Sequence, residues 1–411
     1  YVRREADLKE VTASQGGITG LANQAGLGVR VADIRRSFDQ FLVERKLIAN
    51  SSFERVDSYV QQLKKLEDLL LPADADLGTQ IGTFFRSLSD VSAAPSDLAP
   101  RAVALEQGRS LVSAFNSTAI QISQLQASTI GRMEDSIKGL NLLTDELSSI
   151  NDRIISSGQS GRSPNSFLDL RDRLIEDISS LIDVSVSYTD RGLANVTIGA
   201  SGVGPSLVDG TRKTAVGYIE RDGGLEIILR PLSSRTPTSQ LTSGMIAGLK
   251  EAYSTVSSVS RQVDQLATQV ATDVNAQHRL GVAMDGLRGL DMFSSVNVAA
   301  TPNLTNSVEV EAEITITDAT ALPTSDMIAT FNQDKNIWQL TGDDLTKPIE
   351  GKSVLKGPGF EIQLTGPSVN GNSFTISPVK NAAENMQFLL VRPQDIAAAS
   401  PDLVTASNTN I

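Results

Sequence analysis

Four acidic residues crowd one short stretch: Asp169, Asp172, Glu176 and Asp177. Two carboxylates in one cleft can share a proton and run acid–base chemistry, and Asp172 and Glu176, at i,i+4, share a helix face. Arg171 and Arg173 interleave with them, and Arg173 and Asp177 are spaced as an ion pair. A solvated helix opened by Ser166 and Asp169 in a capping-box-like start is the better reading. His278 is the only histidine and could act as a general base. No cysteine or second histidine accompanies it, so a histidine at a helix end, bonding terminal carbonyls, is favoured. Asp285-Gly286 with Asp291 has the outline of a calcium loop but lacks the alternating acids and the closing glutamate. Gly281, Gly286 and Gly289 then read as points of positive φ. Gly26-x-Gly28 lacks the third glycine and the strand–turn–helix context of a phosphate loop. Trp338, the single tryptophan, lies on an alternating run and reads as a core or sheet-face anchor rather than a sugar platform. The reading assigns no catalytic, cofactor-binding or metal-ligating residue.

Composition narrows the classes further. The 411 residues carry a net charge of −12, which disfavours nucleic acid and anionic membrane surfaces as partners. No apolar run reaches the length of a membrane-spanning helix. Without cysteine there is neither a disulfide framework nor a thiol nucleophile. No cleavable signal peptide is visible, and the chain starts at Tyr1, so it reads as an excised fragment.

The elements that would position these residues are mostly long helices. Residues 1–31 read as short strands and turns around glycines. From Asp33 a helical period runs through Phe38, Phe41, Leu42, Ile48, Phe53, Val56, Val60, Leu63 and Leu66 toward Pro72. A shorter helix spans Leu77 to Val91. A very long one runs from about Arg101 to Ser157 on a near-heptad seam, on the order of 85 Å at helical rise. Gly131 and Gly139 are points where it could bend. After the acidic helix, period-two runs at Val184–Tyr188, Asn195–Ile198, Leu207–Gly210 and Leu225–Leu229 form a small β module. A last helical run, Leu241 to Gly281, keeps the seam Met245, Leu249, Ala252, Val256, Val259, Val263, Leu266, Val270 and Val274, and glycines end it. Beyond Phe293 the alternation is that of an antiparallel β domain, sandwich- or barrel-like. The expected fold class is therefore α+β multidomain. A discontinuous helical rod domain covers 1–165 and 236–287, a small α/β-rich module 166–235, and an antiparallel β domain 288–395. Residues 396–411 read as the start of a removed segment.

The run Asn275-x-x-His278-x-x-Gly281, then Asp285-Gly286-x-x-Gly289 and Phe293, resembles the hallmark of the flagellar hook-associated protein 1 family. That family commonly shows a pair of phenylalanines where this chain has Met292-Phe293. The stretches Pro164–Ile175, Asn195–Ile198, Phe331–Leu340 and Phe360–Val379 are similar to further segments of the same family, in the same order. The resemblance implies a structural, non-enzymatic adaptor between hook and filament, with no cofactor. It implies the hook protein and a second hook–filament junction protein as neighbours, and an export chaperone on a C-terminal segment outside this sequence. It also implies export through the flagellar type III secretion channel to an extracellular position, and ring formation only with terminal helical segments present. The rival expectation is a surface adhesin or carbohydrate-binding module with a site around Trp338.

Overall fold

The computed structural model describes residues 3–10, 29–37, 39–71, 76–159, 165–221, 224–233, 236–295, 298–303, 306, 310–318, 321–323 and 325–400. Gly26-x-Gly28 lies outside them. Strands β1 (Arg3–Glu10) and β2 (Val29–Ser37) pair antiparallel and precede α1 (Gln40–Leu70). The helix thus starts seven residues later than the expected onset at Asp33. Antiparallel pairing with β1 holds the strand until Ser37, and Asp39 then accepts the amide of Leu42 at the helix start. Helix α2 (Leu77–Ala93) opens on Asp76, whose carboxylate accepts the Thr79 amide at 2.8 Å. Helix α3 (Leu98–Gln159) is one continuous 62-residue helix, about 93 Å at 1.5 Å per residue. It remains helical through Gly131 and Gly139. Helix α4 (Asn165–Leu181) already includes Ser166 in its first turn, so Ser166 is not its cap.

The contacts of the chain divide it into two units. The first comprises Tyr1–Tyr59, Arg132–Ile219 and Glu226–Lys250. Here the distal α3 seam, Met133, Leu140, Leu147, Ile150 and Ile154, is buried, as are Leu174, Ile175 and Ile178 of α4. The antiparallel sheet β3 (Val184–Tyr188), β4 (Ala194–Ile198), β5 (Ser206–Asp209), β6 (Arg212–Lys213) follows in simple order. Strands β7 (Val216–Arg221), β8 (Gly224–Leu229) and β9 (Thr236–Pro237) form a further sheet. Two α3 asparagines fasten these excursions. Asn141 exchanges two 2.9 Å bonds with the backbone of Val216. Asn151, fully buried, holds Ala194 through both its N–H and C=O and reaches the Gly210 carbonyl. Each side chain satisfies backbone groups that the sheet edge leaves open.

Helix α5 (Met245–Leu280) begins four residues after the expected Leu241, because Gly244 takes φ +89 immediately before it. A Cβ on Gly244 would stand 2.5 Å from the Ile182 Cα. One turn later Gly248 lies against α1, and a Cβ there would collide with the Arg55 carbonyl and the Ser58 hydroxyl. Gly248→Ala is therefore expected to destabilise the chain by about 2–3 kcal/mol in urea unfolding, since backbone rather than a flexible side chain must move.

The second unit comprises Val60–Gly131, Glu220–Leu225 and Glu251–Ile411. Its helical core joins Leu66, Phe84, Leu111, Phe115 and Ile122 with Val256, Val263, Val270 and Val274 of α5. Leu266, placed on the α5 seam by spacing, is exposed; the buried stripe runs through Ala267 and Ala271 instead. From Val263, steps of four reach these alanines, and Leu266 falls off the stripe at 3.6 residues per turn. The β domain packs two antiparallel sheets. One is ordered β10 (Ala299–Pro302), β17 (Ser373–Ser377), β12 (Met327–Asn332), β13 (Ile337–Thr341), β14 (Ile349–Gly351). The other is β11 (Glu311–Ile316), β16 (Phe360–Thr365), β15 (Val354–Gly357). Alternate inward residues, Met327, Ala329 and Phe331 on β12 and Phe360, Ile362 and Leu364 on β16, meet in one core, as strand pleating requires. A short helix α6 (Ala382–Asn385) follows the domain.

A helix-end joint as the candidate functional site

The second unit brings the Asn275–Phe293 motif together with the chain returning from the β domain. Asn275 is buried, and its side chain makes three bonds to backbone groups. Its Oδ1 accepts the amides of Met292 and Phe293 at 2.8 and 2.9 Å, and its Nδ2 donates to the Phe293 carbonyl at 2.8 Å. The last turns of α5 thereby grip the backbone where it enters the β domain. Phe293, itself fully buried, meets Phe84 and Phe388 edge-on, with ring centroids 5.6 and 5.4 Å away. Gly108 of α3 leaves the space that the Phe388 ring occupies.

His278 lies one turn beyond Asn275 and is also buried. Its Nδ1 bonds the Leu290 carbonyl at 2.5 Å, and its Nε2 accepts the Ala397 amide at 2.7 Å. A carbonyl can only accept and an amide can only donate, so the imidazole is neutral with its proton on Nδ1. Burial holds its pKa below the usual histidine value; the Leu290 bond and Asp291 act against this, and Arg101 adds to it. The expected partners, terminal helix carbonyls, are replaced by a loop carbonyl and an amide 119 residues away.

Arg101 of α3 completes the grip. It is buried, and its guanidinium donates to the carbonyls of Pro95, Pro393 and Ile396. Val282 and Ala399 exchange backbone bonds of 2.9 and 3.1 Å. Ala397 and Ala399, in the stretch read from sequence as the start of a removed segment, are thus bonded to α5 and the loop that follows it.

The glycines divide by cause. Only Gly286 has positive φ, +82, in the turn where Asp285 accepts the Leu287 amide at 3.0 Å. Gly281 and Gly289 are required by close approach. A Cβ on Gly289 would overlap the His278 carbonyl oxygen and come within 2.7 Å of the Ala397 Cβ; one on Gly281 would stand 2.9 Å from the Ala397 carbonyl oxygen. Asp291, a candidate calcium ligand, instead accepts a bidentate pair from Arg279 at 2.5 and 2.7 Å. Among the described residues, no group of three or more acidic or histidine side chains could hold a metal.

The far side of the β domain is fastened to the same helix. Asp264, buried on α5, accepts the amides of Asn381 and Ala383 at 3.2 and 2.8 Å. Asn116 of α3 donates to the carbonyls of Ala383 and Glu384 at 2.7 and 2.9 Å. The sequence reading gave Asn116, Asp264 and Arg101 no role. Their signal was a polar residue beside a seam of apolar ones, as Asp264 stands beside Val263.

The other candidates are dispersed. Asp172 accepts two bonds from Arg171, whose guanidinium lies over the Tyr188 ring at 4.4 Å. Glu176 pairs with Lys46 at 2.6 Å. Arg173 bonds the Asp169 carbonyl rather than Asp177. Trp338 is 1% exposed, packs against Phe331 and Phe374, and donates to the Ser368 hydroxyl at 3.2 Å. It is core and offers no sugar platform. An apolar groove of about 620 Å³ beside the joint, lined by Phe85, Leu88, Val274, Met292 and Ile396, has His278 at its edge with both nitrogens bonded.

Comparison with known proteins places the chain among relatives of one kind. The chain is 27% identical to flagellar hook-associated protein 1 of Escherichia coli over 95% of its length and 73% of that protein's. It is 27% identical to flagellar hook-associated protein 1 of Salmonella typhimurium over its whole length and 76% of the relative's. The solved structure of the flagellar hook junction protein FlgK from Burkholderia pseudomallei shares the fold, with a TM-score of 0.74 at 24% identity, over 87% of this chain and 66% of that one. The flagellar hook-associated protein FlgK helical domain matches residues 63–293, more than half the chain, and its last matched residue is the Phe293 that Asn275 grips. The chain belongs to the flagellar hook-associated protein FlgK family.

Proposed function

We propose that the chain is a structural adaptor of the bacterial flagellum at the junction between hook and filament, and that it works without catalysis. The observation that carries this reading is the family match over residues 63–293. The use of side chains supports it. Asn275, His278, Arg279 and Asp291 bond backbone groups and each other, as a structural fastening requires. The hook protein and a second junction protein are the neighbours this reading requires. An export chaperone and assembly into a ring go with this reading, and the flagellar secretion channel is its route outward. A carbohydrate-binding role for the β domain is disfavoured by the burial of Trp338. The test is complementation of a strain lacking its own junction protein. The full-length protein should restore attached filaments; filaments shed into the medium despite normal protein levels would refute the role.

A further inference from the structure

We propose that the fastening of residues 396–399 is an acid-operated latch: a second proton on the His278 imidazole expels the Ala397 amide, while the 381–383 end of the same returning segment stays docked on α5. The geometry leaves a second proton no place. Nδ1–H is committed to the Leu290 carbonyl, and Nε2 accepts the Ala397 N–H. Protonation at Nε2 would set two hydrogens against each other across a 2.7 Å gap. Turning the ring over would put carbon where each nitrogen now bonds.

The charges around the ring do not relieve this. From α3, the Arg101 guanidinium sits on the carbonyls of Pro393 and Ile396, on the same segment as Ala397. Asp291 favours the charged ring, but both its oxygens are taken by Arg279. Arg392 and Asp395, on the returning segment, bond each other at 2.6 Å. Arg288 bonds the Leu280 carbonyl. Asp273 of α5 lines the groove, and the α2 residues lining it, Phe85, Leu88, Val91 and Ser92, carry no charge.

The two ends of the returning segment respond to acid with opposite signs. His278 has a folded pKa depressed by burial. Its contribution is present above the unfolded value near 6.5 and is lost as pH falls through the lower folded value. Asp264 has its pKa raised to about 6, first by burial and further by Glu384, against the amides of Ala383 and Asn381. Its contribution is largest at low pH and is lost as pH rises through about 6. Acidification from pH 7.5 to 4.5 therefore breaks the grip on Ala397, whereas at Asp264 it removes a buried charge and, with the proton on Oδ2, leaves Oδ1 to accept the Ala383 amide.

The single histidine makes the test direct, because one imidazole signal reports the whole titration. The full chain would be titrated by NMR from pH 7.5 to 4.5, with amide protection measured alongside. Protection at Ala397 and Ala399 should fall at least tenfold as the imidazole takes up its proton, with Ala383 retained. His278→Gln keeps one donor and one acceptor but no titrating group, and it should remove the pH dependence. If that variant does not fold, the wild-type titration alone decides. Constant protection at Ala397 through the imidazole titration, a parallel loss at Ala383, or an equal loss in His278→Gln would overturn the latch.

Discussion

Asn275→Ala is expected to destabilise the second unit by about 4 kcal/mol, measured as a lower urea midpoint. The deleted amide holds three backbone groups, the N–H of Met292 and both the N–H and C=O of Phe293, all with partners at 2.8–2.9 Å. The site is buried, so water cannot replace those partners without opening the joint. An orphaned buried polar group costs about 1–3 kcal/mol, and three neighbouring orphans relieve one another only in part. Asn275→Asp separates hydrogen bonding from shape. It keeps the two accepted amides but sets a carboxylate against the Phe293 carbonyl, and it should be rescued in part as the pH is lowered and the acid protonates. A surface loss below about 0.5 kcal/mol for Asn275→Ala would mean the clamp is not formed.

The second large effect is expected at Gly289. Gly289→Ala should cost about 3 kcal/mol, because the new methyl group meets the His278 carbonyl oxygen and the Ala397 side chain at once. Gly286→Ala is the matched control. Gly286 has φ +82 and open space around its Cβ position, so alanine there should cost only about 1–2 kcal/mol of backbone strain. The order of the two losses in thermal or urea unfolding distinguishes close packing from turn conformation. Equal losses would show that the close approach at Gly289 is relieved at no greater cost than the turn strain at Gly286.

This contrast shows what the sequence made legible. Periodicity located the α3 seam, whose Leu105, Val112, Phe115, Ile122, Leu140 and Leu147 are buried as spaced, but not that of α1, where Phe41, Leu42, Ile48, Phe53, Val56 and Val60 are exposed and Leu66 is buried. Strand alternation did the same for the β domain, including Trp338 in its core. Local signals also located the joint, because a helix ending in glycines before an alternating region has few other meanings. Its mechanism was not legible. His278 and Ala397 lie 119 residues apart, as Asn116 and Ala383 lie 267 apart. No local rule pairs a side chain with a backbone amide that distant in sequence. Gly281 and Gly289 likewise read as turn residues, when the constraint on Gly281 is the Ala397 backbone and side chain, and that on Gly289 is the His278 carbonyl oxygen together with the Ala397 side chain. Element starts shifted where a strand or a positive-φ glycine won over the apolar period, as at Ser37 and Gly244.

The Asn275–Phe293 motif is a fastening, with Asn275 gripping the chain on its way into the β domain and His278 gripping it on its way back. Amide hydrogen exchange in the wild-type chain and in Asn275→Ala tests this most directly. The Met292, Phe293 and Ala397 amides should be protected to near the global stability of the unit in the wild type. In Asn275→Ala the Met292 and Phe293 amides should lose that protection well before the α3 core does. Rapid exchange of these amides in the wild type, or protection unchanged by Asn275→Ala, would contradict it.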